Sequence, residues 1–343
     1  MGVLRVGVLG AGVVGVTTAT ELQSQFPTAN ITIIADKFNN ETTSEVAAGI
    51  FRPNLSFTGP TPEITSQWIR DSYDYYDAIR SSEESARAGV SQISGYLFSK
   101  VDESLVKNHL LEKIVPVYRR TTKEELKLCP GNWKYGSFFV TLVTECTKFL
   151  PWSLARFEQA GGKIVNKTIG NIKELEQSFD IVVNCTGLGA KYIFSDHQLV
   201  PIRGQVIKVR IVHAPWIKTF FYGDSDTYII PRSDGVILGG CRHYDSYDMN
   251  INKYDSAAIR ERCFKMVPSL QKARFIRESV GLRPHRSVVR VEPELLDTGF
   301  TKFKIVHNYG HGGYGVTSAP GTAKHAVKYV RDLHSSSSVY SKL

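Results

Sequence analysis

Three glycines and one acid carry the first chemistry in this sequence. Gly10, Gly12 and Gly15 form a G-x-G-x-x-G run directly behind the apolar stretch Val6-Gly7-Val8-Leu9. Asp36 closes a second apolar stretch, Ile31-Thr32-Ile33-Ile34, about twenty residues on. Gly10 permits a tight turn, Gly12 lets the backbone approach phosphates, and Gly15 lets a helix pack closely on a strand. With Val13 and Val14 between them, these residues build a pyrophosphate seat at the positive end of a helix. The Asp36 carboxylate is then spaced to accept hydrogen bonds from a ribose. The pattern predicts a dinucleotide site.

Two further glycine runs lie far downstream. One is Asn184-Cys185-Thr186-Gly187-Leu188-Gly189, and the other is Gly310-His311-Gly312-Gly313-Tyr314-Gly315. The opening fingerprint alone does not choose between a nicotinamide and a flavin dinucleotide. A nicotinamide site is usually finished within one compact βαβαβ unit. The late runs favour a flavin, because the helix after the second run points its positive end at the turn, where the pyrimidine edge of a reduced flavin carries negative charge.

The elements that must position these residues follow from hydrophobic pattern. Val16 to Gln25 reads as a helix, Lys37 to Glu45 as a polar loop, and Glu63 to Ser81 as an amphipathic helix with Trp68, Ile69, Tyr73 and Tyr76 on its core face. Ser94 to Ser99 reads as a strand, and Glu145 to Ala160 as a helix interrupted near Pro151. Lys163 to Val165 and Asp180 to Asn184 are short β-branched runs of the kind found in parallel sheets covered on both faces. Gln205 to Ile211, Thr227 to Pro231 and Val236 to Gly240 alternate and predict an antiparallel sheet. Phe303 to Asn308 and a helix from Thr317 to Leu333 return to the βα style. The expected architecture is α/β: a Rossmann-like dinucleotide domain with a parallel sheet (1–57, 140–195, 286–334), interleaved with an antiparallel-sheet domain (58–139, 196–285) that holds the substrate.

The totals suit such a protein. The chain has 343 residues, 42% hydrophobic and 22% charged, enough for two domains. No apolar run spans a bilayer, and the opening strand leaves no place for a removable signal peptide. Five scattered cysteines without metal-ligand spacing are expected to be reduced. The net charge of +9 is dispersed, which argues against nucleic acid and for a small acidic substrate. Ser341-Lys342-Leu343 matches the tripeptide read by the peroxisomal import receptor, behind a serine run (335–338) expected to form a loose tail.

Eight segments, in order, resemble one family. They are GAGVVG (10–15), DKFNNETTSEVAAG (36–49), NCTGLG (184–189), PIRGQV (201–206), TYIIP (227–231), LGG (238–240), GLRP (281–284) and HNYGHGGYG (307–315). Together they resemble the D-amino-acid oxidase and D-aspartate oxidase family. The resemblance implies FAD, a D-amino acid and oxygen as reactants, hydrogen peroxide as a product, and the peroxisome matrix as location. It implies that Asp36 and Lys37 hold the adenosine and phosphate region and that Thr42, Thr43 and Ser44 bond the pyrophosphate. Gly49 and Ile50 would line the isoalloxazine, and Thr168, Ile169, Thr186 and Gly187 the adenine side. Gly312, Gly313, Gly315, Val316 and Thr317 would close over the pyrimidine edge.

The same resemblance assigns the substrate. Arg283 would grip the α-carboxylate through its planar fork, and Tyr228 would bond the same group. Hydride transfer to the flavin needs no side-chain base if the amine arrives neutral, so His307 and His311 are read as structural. Arg242 stands where the aspartate-specific branch carries an arginine. Arg52, after Gly49-Ile50-Phe51, departs from the family, which usually has an uncharged residue there, and is expected to add a second guanidinium to the pocket. The segment Phe220–Asp226 lacks the further arginine of that branch, and Asp224 and Asp226 are expected to face solvent on a lid. The reading is oxidation of acidic D-amino acids. The alternatives are an oxidase of neutral D-amino acids, a nicotinamide dehydrogenase and a non-catalytic sensor.

Overall fold

The computed structural model describes residues 2–54, 56–211, 218–297, 299 and 302–340. Five parallel strands lie in the order Lys302–His311, Ile181–Asn184, Arg5–Leu9, Asn30–Ala35, Lys163–Asn166. Their side chains alternate between two cores, as the period of two demands. Val6, Val8, Ile31, Ile33, Ile181, Val183 and Val306 enter one cluster. Leu9, Ile34, Val182 and Ile305 enter another, under Ile172 and Leu175. Burial on both faces explains why these strands read as unbroken apolar runs.

The strand order reverses at Arg5–Leu9. Its partner on one side, Asn30–Ala35, follows it directly in sequence, and its partner on the other, Ile181–Asn184, arrives much later. Open α/β sheets bind ligands at the carboxyl ends of strands where the order switches. Here that point brings Gly10 beside Cys185 and Thr186.

The second half of the sheet is mostly antiparallel. It runs Val117–Arg120, Tyr135–Thr144, Val90–Ser99, Thr219–Tyr222, Thr227–Arg232, Gly235–Gly239, Val200–Arg210, Arg274–Asp297. One neighbouring pair, Val90–Ser99 with Thr219–Tyr222, is parallel. The strand Arg274–Asp297 joins the halves, pairing with Val200–Arg210 and then with Lys302–His311. Its register breaks between His285 and Arg290, so the expected domain boundary at 285/286 falls inside a continuous strand.

Three local expectations are corrected. Pro151 does not interrupt its helix, which runs Cys146–Gln159, because Phe149, Leu150, Leu154 and Phe157 anchor both sides of the proline in the core. The last helix runs Gly315–Tyr340, so the serines read as a loose tail continue it. The loop after Asp36 contains two helical turns, Asn39–Glu41 and Thr43–Val46. The helix Pro62–Arg80, read as part of the antiparallel unit, packs along the last helix. Trp68 donates from Nε1 to His325 Nδ1 at 2.8 Å, and Gly321 N–H donates to Ser72 Oγ at 2.8 Å. Ser341-Lys342-Leu343 lies outside the described residues. No described helix is long and apolar enough to cross a membrane.

Candidate active site

One cavity of about 1040 Å³ follows the carboxyl ends of the parallel strands and continues under the antiparallel sheet. It exceeds the roughly 300–1,000 Å³ of ordinary small-molecule pockets. At its floor, Gly10 has φ +100°, a conformation open to glycine but strained for other residues. A Cβ at Gly15 would overlap the Gly10 carbonyl oxygen. The helix Val13–Gln25 therefore touches the turn only because both positions lack side chains.

Gly12 offers that helix no side-chain cap. Ser44 crosses over and accepts the Val13 N–H at 3.0 Å. The first-turn N–H groups and the positive helix end meet a wall that includes Thr42, Thr43 and Ser44. Asp36 and Lys37 line the cavity beyond the second strand. A pyrophosphate matches the helix end and the hydroxyls, and a ribose matches the carboxylate. Replacing Gly15 by alanine would force turn and helix apart. The purified variant should lose its flavin colour and melt on the order of 5 °C or more below the parent, the shift a few kcal/mol makes in a chain of this size. Parental flavin content and Tm in the alanine variant would disprove that contact.

The far glycine runs close the cavity. Gly49 has φ +82°, and a Cβ there would overlap the Thr144 carbonyl oxygen. Ile50, Thr186, Gly187, Gly312, Gly313, Gly315, Val316 and Thr317 all stand on the wall. Thr186 donates from N and Oγ1 to Asn184 Oδ1, at 3.2 and 2.7 Å. Buried Asn184 in turn donates to His307 Nδ1 at 3.2 Å, and His307 Nε2 donates to Glu294 at 2.9 Å. Burial holds His307 below its ordinary pKa, which favours the neutral ring, and the two partners fix its tautomer. Thr168 and Ile169 are not brought to the cavity. They lie beyond the edge strand, and Ile169 packs against the cluster around Leu9 and Ile34.

His311 is buried and meets Thr322 Oγ1 at 3.0 Å, and burial pushes its pKa down to about 3. In the unfolded chain a histidine titrates near 6.5. Below that pH the unfolded state takes up a proton that the folded state refuses, so stability falls as pH drops from about 6.5 towards 3. Thermal melts from about pH 7 to about pH 4.5 should lose Tm more steeply in the parent than in His311→Asn. Equal slopes would exclude His311 as the source.

The end of the cavity under the antiparallel sheet, the expected substrate end, gathers Tyr228, Arg283, Arg242 and Arg52. Arg283 donates from Nη1 to the carbonyls of Cys241 and Arg203, at 3.2 and 3.4 Å. Its guanidinium occupies space that any Cβ at Gly204 would fill, and its Cδ passes 3.3 Å from the Cβ direction of Gly313. Tyr228 likewise occupies the space above Gly239. Burial raises the Tyr228 pKa against the opposing charge of Arg283, so the phenol stays protonated as a donor. Gly204 and Gly239 were missed as site residues. Their signal was a glycine inside a strand pattern, which marks close approach of another group.

The two further arginines differ. Arg52 stacks its guanidinium 4.4 Å above the Phe221 ring centroid. Among the described residues it has no carboxylate partner. Burial lowers its pKa, and the nearby charge of Arg242 lowers it further. Arg242 is paired with Asp226 at 3.1 Å, with side chains 40% and 44% exposed. Asp226 is exposed to solvent, as expected, and also lines the cavity wall beside Arg242. Asp224 is also anchored, accepting from Ser99 Oγ and from Lys100 N–H at 2.9 Å. Arg283 and Arg52 are left unmatched by any described carboxylate.

Comparison with known proteins agrees with this geometry. A family model described as FAD dependent oxidoreductase (DAO) matches residues 5–329. The chain is 39% identical to human D-aspartate oxidase over 334 residues, covering 97% of this chain and 96% of that protein. It is 34% identical to a D-amino acid oxidase of Dugesia ryukyuensis, covering 96% and 98%. The fold is shared with glycine oxidase from Bacillus cereus at TM-score 0.79 and 15% identity, covering 96% of this chain and 95% of that one. The glycine turns, the switch-point crevice and its hydroxyl-lined floor suit FAD, and the match extends from the first strand into the last helix: the chain belongs to the DAO family of FAD-dependent oxidoreductases.

Proposed function

We propose that this protein oxidises acidic D-amino acids, D-aspartate and D-glutamate, to 2-oxo acids, consuming oxygen and water and releasing ammonia and hydrogen peroxide. The observation that carries the reading is the pair of unmatched guanidiniums, Arg283 and Arg52, at the substrate end of the cavity. A dicarboxylate brings one anion for each. Similarity to human D-aspartate oxidase and to the D-amino acid oxidase of Dugesia ryukyuensis supports the D-amino acid class.

Bound FAD supplies the two-electron acceptor and the route to oxygen. Arg283 offers two parallel charge-assisted bonds to the α-carboxylate, and the Tyr228 hydroxyl donates a third. These contacts hold the α-carbon in one orientation, which is the protein's main contribution to rate. The Cα–H bond gives up its hydrogen with the electron pair, the C–N bond becomes an imine, and water hydrolyses it. His307 and His311 point to protein partners and serve no proton transfer. Arg52, with Arg242 beside it, receives the side-chain carboxylate.

A neutral substrate is the second reading, favoured by one observation: Asp226 already neutralises Arg242. A peroxide-coupled assay of the FAD-loaded protein with D-Asp, D-Glu, D-Ala and D-Met separates the two. D-Asp should exceed D-Ala in kcat/KM by at least about tenfold, the value of one buried charge-assisted bond. A D-Ala preference would overturn the acidic reading alone, and no peroxide from any substrate would overturn the oxidase reading. We propose as well that Ser341-Lys342-Leu343 sends the chain to peroxisomes. Deleting the tripeptide from a fluorescent fusion should turn punctate signal diffuse, and unchanged puncta would end that idea.

A further inference from the structure

Beside the substrate end lies a second group of side chains that the oxidase chemistry does not use. Cys241, His243 and Asp255 each offer one ligand atom, and these atoms lie within 4.8 Å of one another. No other such group occurs among the described residues. Cys241 and His243 are alternate residues of one segment, and Asp255 sits in the first turn of the helix Lys253–Met266. His243 Nε2 already stands 3.0 and 3.2 Å from the two Asp255 oxygens. Ligands bound to tetrahedral zinc at about 2.0–2.3 Å stand only a little further apart than this.

The surroundings orient the three groups. Asp255 also accepts from Arg203 Nη1 at 2.8 Å. Arg203 is itself buried and tied to the Asp248 and Asn250 carbonyls and to Gln205 Oε1. Such outer contacts fix a ligating carboxylate. The Gln205 N–H points at Cys241 Sγ at 3.1 Å and orients the sulfur. The His243 side chain is 47% exposed, so a cation can enter from solvent and the ring has room to turn onto it. Thiolate, imidazole and carboxylate together select zinc over magnesium or calcium, and three protein ligands leave a fourth position for water.

We propose that Cys241, His243 and Asp255 bind a zinc-class divalent cation, and that occupancy inhibits the enzyme. Binding replaces the thiol proton, which leaves to solvent. Closing the ligands around a metal draws Cys241 Sγ inward. The Cys241 carbonyl holds Arg283 Nη1 at 3.2 Å, and Arg242 is the next residue. Both arginines therefore shift with the metal. The inhibition rests on Arg283 as the carboxylate clamp, whereas the binding does not.

The test titrates zinc into the FAD-loaded protein by calorimetry, with His243→Ala, His243→Gln and Cys241→Ser alongside. One zinc per chain is expected, bound at least about tenfold more weakly in every variant. Cobalt should give tetrahedral d–d bands at wavelengths beyond the flavin absorption, and these should vanish in Cys241→Ser. Zinc should inhibit peroxide production by the parent but not by the His243 variants, which retain metal-free turnover. Equal zinc affinity in parent and variants would overturn the site. Unchanged inhibition in variants that no longer bind zinc there would overturn the coupling to Arg283.

Discussion

Replacing Arg283 by alanine should lower kcat/KM for every D-amino acid by roughly 10²–10⁴. Two charge-assisted bonds of about 1.5–3 kcal/mol each are lost, and both act on the group common to all substrates. Nothing described nearby can replace them, because Arg242 is paired with Asp226, Arg52 is stacked on Phe221 and Tyr228 offers a single neutral donor. Arg283→Lys should recover only part of the loss. An ammonium keeps the charge but not the fork, and cannot reach the Cys241 and Arg203 carbonyls with the same planar geometry. Flavin absorption and Tm, measured on the same samples, separate lost substrate binding from lost cofactor. An alanine variant with full flavin content and parental kcat/KM would refute the assignment of the clamp.

Replacing Arg52 by methionine should reverse substrate preference. For D-Asp we expect kcat/KM to fall about 10–100-fold, one charge-assisted contact of about 1.5–3 kcal/mol in a desolvated place. For D-Ala it should hold or rise. Methionine keeps the apolar contact with Phe221 and removes a guanidinium whose burial is uncompensated before substrate arrives. Arg242→Ala should cost less, because Asp226 already matches that charge and both side chains are well exposed. Parallel kinetics of both variants with D-Asp and D-Ala give the ranking. A greater loss of D-Asp turnover from Arg242 than from Arg52 would reverse this account of the pocket.

The ranking of the two arginines shows where sequence reading stopped. Both were legible as candidate cations. Their difference was not, because it comes from Asp226, which is exposed as expected but also pairs with Arg242. The nucleotide half was far more legible. Gly10 and Gly15 meet at one carbonyl, within one turn of chain, and such local contacts leave a local pattern. Gly204 and Gly239 make comparable room for Arg283 and Tyr228, but Arg283 reaches Gly204 across 79 positions of chain. Thr168 and Ile169 follow the edge strand, whose last residue Asn166 pairs with Ala35 on the cavity wall, and are not themselves part of that wall.

By itself the sequence determined the dinucleotide seat and the parallel and antiparallel halves of the sheet. Each of these is written in periodicity or in glycines a few residues apart, where backbone geometry follows directly from residue type. Tertiary structure alone decided which charges remain unmatched, which glycines make room for distant side chains, and that one strand, Arg274–Asp297, carries Arg283 and joins the two halves of the sheet. Those outcomes depend on pairing between segments far apart in the chain, and the free energy of such contacts belongs to the pair, not to either residue's neighbourhood in sequence.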